Sequence, residues 1–196
     1  MNMRARVEAW LRQAFRWLNK YMILHWRLGL GPVGNRAELT GCIMVLIHRG
    51  RKSGLRRRTP VNYAIVDGAI YCVAGFGPIA DWYRNVMADP AVEVWLPNGW
   101  YAGTARDVTD LSAAEKAPIV RQVLINSGFA GRLAGINARE MSEQALLDAT
   151  ATYRVVRIDC TEARTGPGGP GDLAWIWPLT TMALAAWVFL QRRRPA

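Results

Sequence analysis

Between positions 49 and 58 the chain gathers Arg49, Arg51, Lys52, Arg56, Arg57 and Arg58, interleaved with Gly50, Ser53 and Gly54. Glycines let backbone amides approach an anion, and Ser53 adds a hydroxyl donor. Arginine offers planar, bidentate contacts to phosphate, and lysine adds a point charge. The chemistry indicated is capture of a phosphorylated ligand. The segment is not a Walker loop, which needs Gly directly before its Lys; Arg51 stands there instead. An exposed basic hairpin tip, idle or touching lipid or RNA, is the other reading of the same residues.

A second segment runs Gly75-Phe76-Gly77-Pro78, then Asp81-Trp82-Tyr83-Arg84-Asn85 and Asp89-Pro90. Two glycines at a strand end suit a backbone that lies close against a flat ring. Trp82 and Asn85 fall one helical turn apart and share a face. There Trp82 either covers a ring while Asn85 hydrogen-bonds its edge, or packs into the core.

The whole chain bounds these readings. Its 196 residues suit one domain with appendages, and 51% are apolar, enough for a sizeable core. The formal net charge of +10 admits three partners: nucleic acid, anionic lipid or a polyanionic small molecule. Nucleic acid fits poorly, because no aromatic residues interleave with these arginines as a stacking platform requires. Cys42, Cys72 and Cys160 lie far apart and read as buried small hydrophobes in a reducing compartment. With only two His, zinc-type ligand spacing cannot be assembled. The basic N-terminus is followed by no continuous apolar stretch, so no signal peptide is visible.

The elements that must position the two segments follow from periodicity. Residues 4–28 read as an amphipathic helix. Val7, Trp10, Leu11, Ala14, Trp17, Leu18, Tyr21 and Leu24 recur at helical spacing, with Arg12, Arg16 and Lys20 on another face. Such a helix suits either the headgroup plane of an anionic membrane or the cap of its own barrel. Gly29, Gly31, Pro32 and Gly34 end it.

Strands are predicted at Cys42–Ile47, Thr59–Val66, Ala69–Ala74, Val92–Leu96, Trp100–Val108 and Tyr153–Asp159. Asp67-Gly68 forms a hairpin turn, and Pro97-Asn98-Gly99 a second turn. Helices are predicted at Ser112–Ser127, where Ser112 and Glu115 form a capping box, and at 142–149. Many antiparallel strands with few helices imply a barrel. Thr165–Gly171 has linker composition. Leu173–Leu190 carries no charge and is a transmembrane candidate at the short end of the range, with Trp175, Trp177 and Trp187 near its ends.

Several motifs occur in one order: Arg-Leu-Gly-Leu-Gly at 27–31, Gly-Arg-Lys-Ser-Gly at 50–54, Arg-Arg-Thr-Pro at 57–60, Asp-Trp-Tyr-Arg-Asn at 81–85 and Asp-Pro-x-Val at 89–92. Over residues 20–160 the chain resembles the deazaflavin-dependent nitroreductases, also described as F420H2-dependent quinone reductases. The resemblance implies a mainly β fold, a split β-barrel of the flavin-reductase type with flanking helices. It also implies the coenzyme F420, whose phosphate and polyglutamate tail are anionic. Arg51, Lys52, Ser53 and Arg57 or Arg58 would hold the phosphate, with Arg49, Gly50, Gly54, Thr59 and Pro60 framing the turn. Gly75, Phe76 and Gly77 would line the deazaflavin ring, and Trp82 and Asn85 would fix it. Related nitroreductases carry a serine where this chain has Gly75, and tyrosines in the segment that here reads Ser127-Gly128-Phe129-Ala130. Tyr63, Tyr83 and Ser127 are the remaining candidate proton donors.

The resulting expectation is a helix and loop over 1–35, a barrel over 36–162, a linker over 163–172 and a membrane span over 173–191. The reaction expected from the resemblance is hydride transfer from reduced F420 to a quinone-like acceptor such as a menaquinone. The barrel would lie on the cytoplasmic side of the cell membrane, with membrane lipid, a homodimer mate or a complex subunit as partners. FMN in the same pocket, or a non-catalytic membrane-bound subunit, are the alternatives.

Overall fold

The computed structural model describes residues 13, 17–36, 41–128, 135–165 and 171–192. A helix, α1, occupies 17–27 and leads through a short turn at Gly31–Gly34 into the barrel. The remaining elements are β1 (Ile43–Arg49), β2 (Arg56–Val66), β3 (Ala69–Ala74), α2 (Asp81–Ala88), β4 (Ala91–Leu96) and β5 (Gly99–Asp107). They continue with α3 (Ala113–Ile125), α4 (Glu143–Ala149), β6 (Arg154–Thr165) and α5 (Ile176–Arg192). The strands close an antiparallel barrel in the order β1-β2-β3-β6-β5-β4. The predicted mainly β barrel with flanking helices is therefore present. β6 continues six residues past its predicted end.

Local rules account for the joints. Asp67 and Gly68 both take positive φ, 49° and 77°, as a two-residue hairpin whose twist matches its strands requires. Ser112 Oγ accepts a hydrogen bond from the Glu115 amide, and the Glu115 carboxylate accepts one from the Ser112 amide, capping α3.

The apolar run of β1 is buried on both faces, with side chains alternating between two clusters. Met44 and Leu46 join Val94, Val156 and Ile158 in one. Val45 and Ile47 meet Trp95 and Trp26 in another, so α1 covers the outside of this strand. A third cluster packs α3 and α4 onto β2 and β3 through Val120, Val123 and Leu146.

Two expectations need correction. The apolar stretch over 173–191 forms α5, but no helix among the described residues is long and apolar enough to cross a membrane. Leu173–Trp175 are spent on a turn, and the 17 residues of α5 reach about 25 Å against a hydrocarbon core of about 30 Å. Cys160 is exposed on β6; Cys72 is buried and Cys42 half-buried. The predicted helix over 4–28 is described only for 17–27, and residues 166–170 of the linker lie outside the described residues, as do Phe129 and Ala130.

Candidate functional site

The turn between β1 and β2 is closed by its own backbone. The Gly50 amide donates to Leu55 O at 2.9 Å, and the Ser53 and Gly54 amides donate to Gly50 O at 3.1 and 2.7 Å. Gly54 takes φ +65°. A β-carbon on Gly50 would stand 2.8 Å from Ser53 Oγ. Ser53 Oγ also lies 3.5 Å from Arg57 Nη2, so the hydroxyl and the guanidinium share one edge of the turn.

Arg51 points the other way. Its amide and its Nη1 donate to Asn85 Oδ1 at 3.1 and 2.9 Å, and its Nη2 pairs with Asp81 at 2.9 Å. These bonds tie the basic turn to α2, 34 residues away, and bring together the two segments singled out in the sequence. They also occupy Arg51 and the Asn85 oxygen. Both therefore have a positioning role between the turn and α2. Arg51→Ala should cost about 1–2 kcal/mol, because the buried Asn85 loses a charged partner while the exposed Asp81 loses little. It should also weaken binding of a phosphate-type anion several-fold by loosening the turn. Urea denaturation and a binding titration of the variant check both effects.

Arg56, Arg57 and Arg58 line a cleft of about 630 Å³ between α1 and the start of β2. Its walls are Trp17, Lys20 and Ile23 on one side and Arg56, Arg57 and Arg58 on the other. β3 pairs only with Tyr63–Val66, so the first seven residues of β2 leave one ladder edge open toward this region. Pro60 lies in that stretch, where a missing N–H is tolerated. Arg56 is neutralised by Glu93 at 2.6 Å and stacks over Trp100. Among the described residues no carboxylate pairs with Lys52, Arg57 or Arg58, and the buried Nε of Arg58 finds no hydrogen-bond partner. An uncompensated cation pair with an orphaned donor favours an anion of phosphate type.

Below the arginines sits His48, 3% exposed, with Nε2 3.1 Å from Thr59 Oγ1. Burial and the facing Arg57 charge push its pKa below the ordinary histidine range, so it stays neutral at pH 7. Thr59 is thereby engaged internally. His48 and Lys20 were missed as site residues by sequence reasoning. The signal for His48 was its place on the Met44–Leu46 face of β1; for Lys20 there was none, since a helix face does not reveal what it lies against.

The ring-bed segment is partly as expected. Gly77 takes φ +62°, and a β-carbon there would stand 2.4 Å from Thr152 O. A β-carbon on Gly75 would stand 3.7 Å from the Tyr153 ring, in ordinary contact, and Phe76 is 70% exposed. Trp82 is a different matter. It is half-buried, packed against the core cluster of the barrel and edge-on to Tyr83 at 6.4 Å. Arg49 is an exposed residue 4.0 Å from Asp89.

The three candidate proton donors are each engaged within the protein. Tyr63 packs in the core, and burial pushes its pKa up to about 12. Tyr83 donates to Asp107, and burial followed by that bond lifts its pKa to about 12. Ser127 is buried and donates to Val123 O at 2.8 Å. Phenols that keep their protons to about pH 12 match neutral-pH proton transfer poorly.

Burial alone would raise the Asp107 pKa, but bonds from Thr109 and Tyr83 with the Arg154 charge outweigh it, and the net shift is downward. A depressed carboxylate pKa stabilises the fold above the unfolded value, near 3.9, and that stabilisation is lost as pH falls through the folded value. Asp107→Asn should therefore flatten the acid limb of the stability curve below about pH 4. Urea midpoints measured from neutral pH downward check it; parallel curves for both proteins would contradict it.

A family model described as F420H2-dependent quinone reductase matches residues 24–136. No curated protein matches the chain. Among solved structures, the chain is similar to a conserved hypothetical protein from Mycobacterium tuberculosis, at 18% identity and TM-score 0.48 over 64% of this chain and 77% of that one. It is also similar to a protein described as F420 reductase, at 13% identity and TM-score 0.43 over 65% and 91%. A FAD-binding protein from Mesorhizobium loti is similar at 16% identity and TM-score 0.39 over 63% and 85%.

Proposed function

Since this chain belongs to the F420H2-dependent quinone reductase family, and so is an oxidoreductase that uses the deazaflavin coenzyme F420, we propose that it reduces a quinone-like acceptor while held at the cytoplasmic side of the cell membrane. The observation that carries the placement of the coenzyme is the cleft between α1 and β2, with Arg57 and Arg58 free of carboxylate partners among the described residues.

The residues present fit the coenzyme's anionic end. Arg57, Arg58, Lys20 and the Ser53 hydroxyl supply donors suited to phosphate and carboxylate oxygens. Lys52, exposed on the turn, adds a charge that steers the polyanion. F420, when bound, supplies the hydride. The chain's own residues orient and exclude water, which is the usual division of labour in a cofactor enzyme. The exposed Phe76, just past the end of β3, offers an apolar face to a flat ring. Arg51 and Asn85 fix the distance between that bed and the phosphate grip.

A menaquinone-type acceptor suits an enzyme with exposed apolar helices beside its cleft, since a lipid-soluble substrate would arrive from the bilayer. Titrating the full chain against the intrinsic fluorescence of F420, followed by turnover of reduced F420 with a soluble menaquinone analogue, tests the reading. Saturable binding at micromolar concentration or below with acceptor-dependent oxidation is the expected result. An unchanged signal at all protein concentrations, or a preparation carrying FMN, would overturn it.

A further inference from the structure

Two helices present apolar side chains to the outside. On α1, Tyr21 and Leu24 lie one turn apart and are both exposed, while Trp26 on the opposite face is buried under β1; Trp17, also exposed, borders the cleft. A helix capping a barrel in water would show a polar outer face. On α5, Leu179, Met182, Leu184, Trp187 and Phe189 are each more than half exposed and spread around the helix. No charged residue occurs between Asp172 and Arg192. The two hydroxyls of α5 are spent internally: Thr180 and Thr181 both donate to Trp177 O, at 2.9 and 2.8 Å. A helix with no charge before its last residue and with internally satisfied hydroxyls has little to lose by leaving water.

The helices share a root. Arg27 Nε pairs with both Asp172 carboxylate oxygens at 2.9 and 3.0 Å. The Leu173 amide donates to Arg27 O at 2.8 Å, and the Trp177 indole donates to Leu28 O at 2.8 Å. A β-carbon on Gly171 would stand 2.8 Å from Gly29 Cα, so the two backbones touch. α5 is thus fixed at its start to the end of α1, and α1 carries Lys20 into the arginine-lined cleft.

From these contacts we infer that α1 and α5 form one clasped docking surface for a bilayer of anionic phospholipid, with α5 lying in a single leaflet. The inference rests on the membrane-held part of the proposed function and not on the coenzyme; α5 lies outside the residues matched by the family model. Apolar area drives the insertion, and the net charge of +10 selects the anionic surface. Of the occupants such helices admit, this charge complementarity favours lipid over a second, equally basic copy of the chain.

Flotation of the full chain with phosphatidylcholine vesicles, with and without a minority of phosphatidylglycerol, is the test. Binding should be stronger to the anionic vesicles. It should fall at least tenfold in the Met182→Glu/Phe189→Glu variant, whose two sites are exposed, while F420 titration of that variant stays unchanged. Failure of F420 binding in both proteins, with flotation intact, would sink the coenzyme reading alone. Equal flotation of both proteins would overturn the inference. So would a lipid-free dimer that the double substitution dissociates, which would assign the surface to a second copy. In membrane vesicles from expressing cells, protease added on the barrel side should remove a tag placed after Ala196; a protected tag means that α5 crosses, and overturns the single-leaflet placement.

Discussion

Replacing Arg57 and Arg58 together with alanine is expected to weaken F420 binding by about a hundredfold or more. Hydrogen bonds to charged groups contribute about 1.5–3 kcal/mol each, and the two guanidinium groups supply the strongest donors of the cleft. Arg57 is exposed and partly screened by solvent, which sets its share at the low end; Arg58 is half-buried and has an unsatisfied Nε, which sets its share higher. The fold should survive, because no carboxylate among the described residues loses a partner. Loss of Arg57 also removes a positive charge facing His48, so the His48 pKa should rise toward its ordinary value. Fluorescence titration measures the affinity, and histidine proton resonances followed against pH measure the second effect. A folded double variant that binds F420 as tightly as the parent would place the coenzyme elsewhere.

Gly77→Ala should be the most destabilising small substitution in the ring-bed segment. The residue holds φ +62°, which costs a side-chain-bearing residue about 1–2 kcal/mol, and the new β-carbon would meet the Thr152 carbonyl at 2.4 Å. A backbone oxygen cannot swing aside as a flexible side chain does, so the segment must shift as a whole. A loss of about 3–4 kcal/mol is expected, with a drop in Tm of about 6–14 °C for a domain of this size. Gly54→Ala is the matched control: it has φ +65° but nothing within 4 Å of its β-carbon, so it carries the conformational cost alone. If thermal melts show the two variants equally stable, the close approach at Thr152 is not what holds Gly77 in place.

Acid–base chemistry in this protein is arranged differently from its binding chemistry. Each of the three candidate proton donors is already engaged, Tyr63 by burial, Tyr83 by Asp107 and Ser127 by Val123 O. A hydride acceptor that takes its proton from water at the open edge of the cleft needs none of them. Tyr83→Phe should then leave the turnover rate nearly unchanged.

Some of this was legible in the residues themselves. Strand positions, the Asp67-Gly68 hairpin and the Ser112 cap are local events, governed by φ preferences and by side-chain spacing along a few residues. The barrel follows, because β1 is apolar at every position from Met44 to Ile47 and must be covered on both faces. The phosphate-type turn was equally local, since glycine, serine and arginine in one decapeptide define its donors without reference to the rest of the chain. Tertiary structure decided everything that depends on what two distant segments do to each other. It tied Arg51 to Asn85, set Lys20 across the cleft from Arg57 and Arg58, and packed the half-buried Trp82 against the core. It also shortened the C-terminal apolar stretch, by drawing Asp172 and Leu173 onto Arg27. The physical reason is one of range. Propensity and capping act within a turn or two of chain, whereas the partner of a long cationic or aromatic side chain is chosen by packing between elements that sequence spacing does not relate.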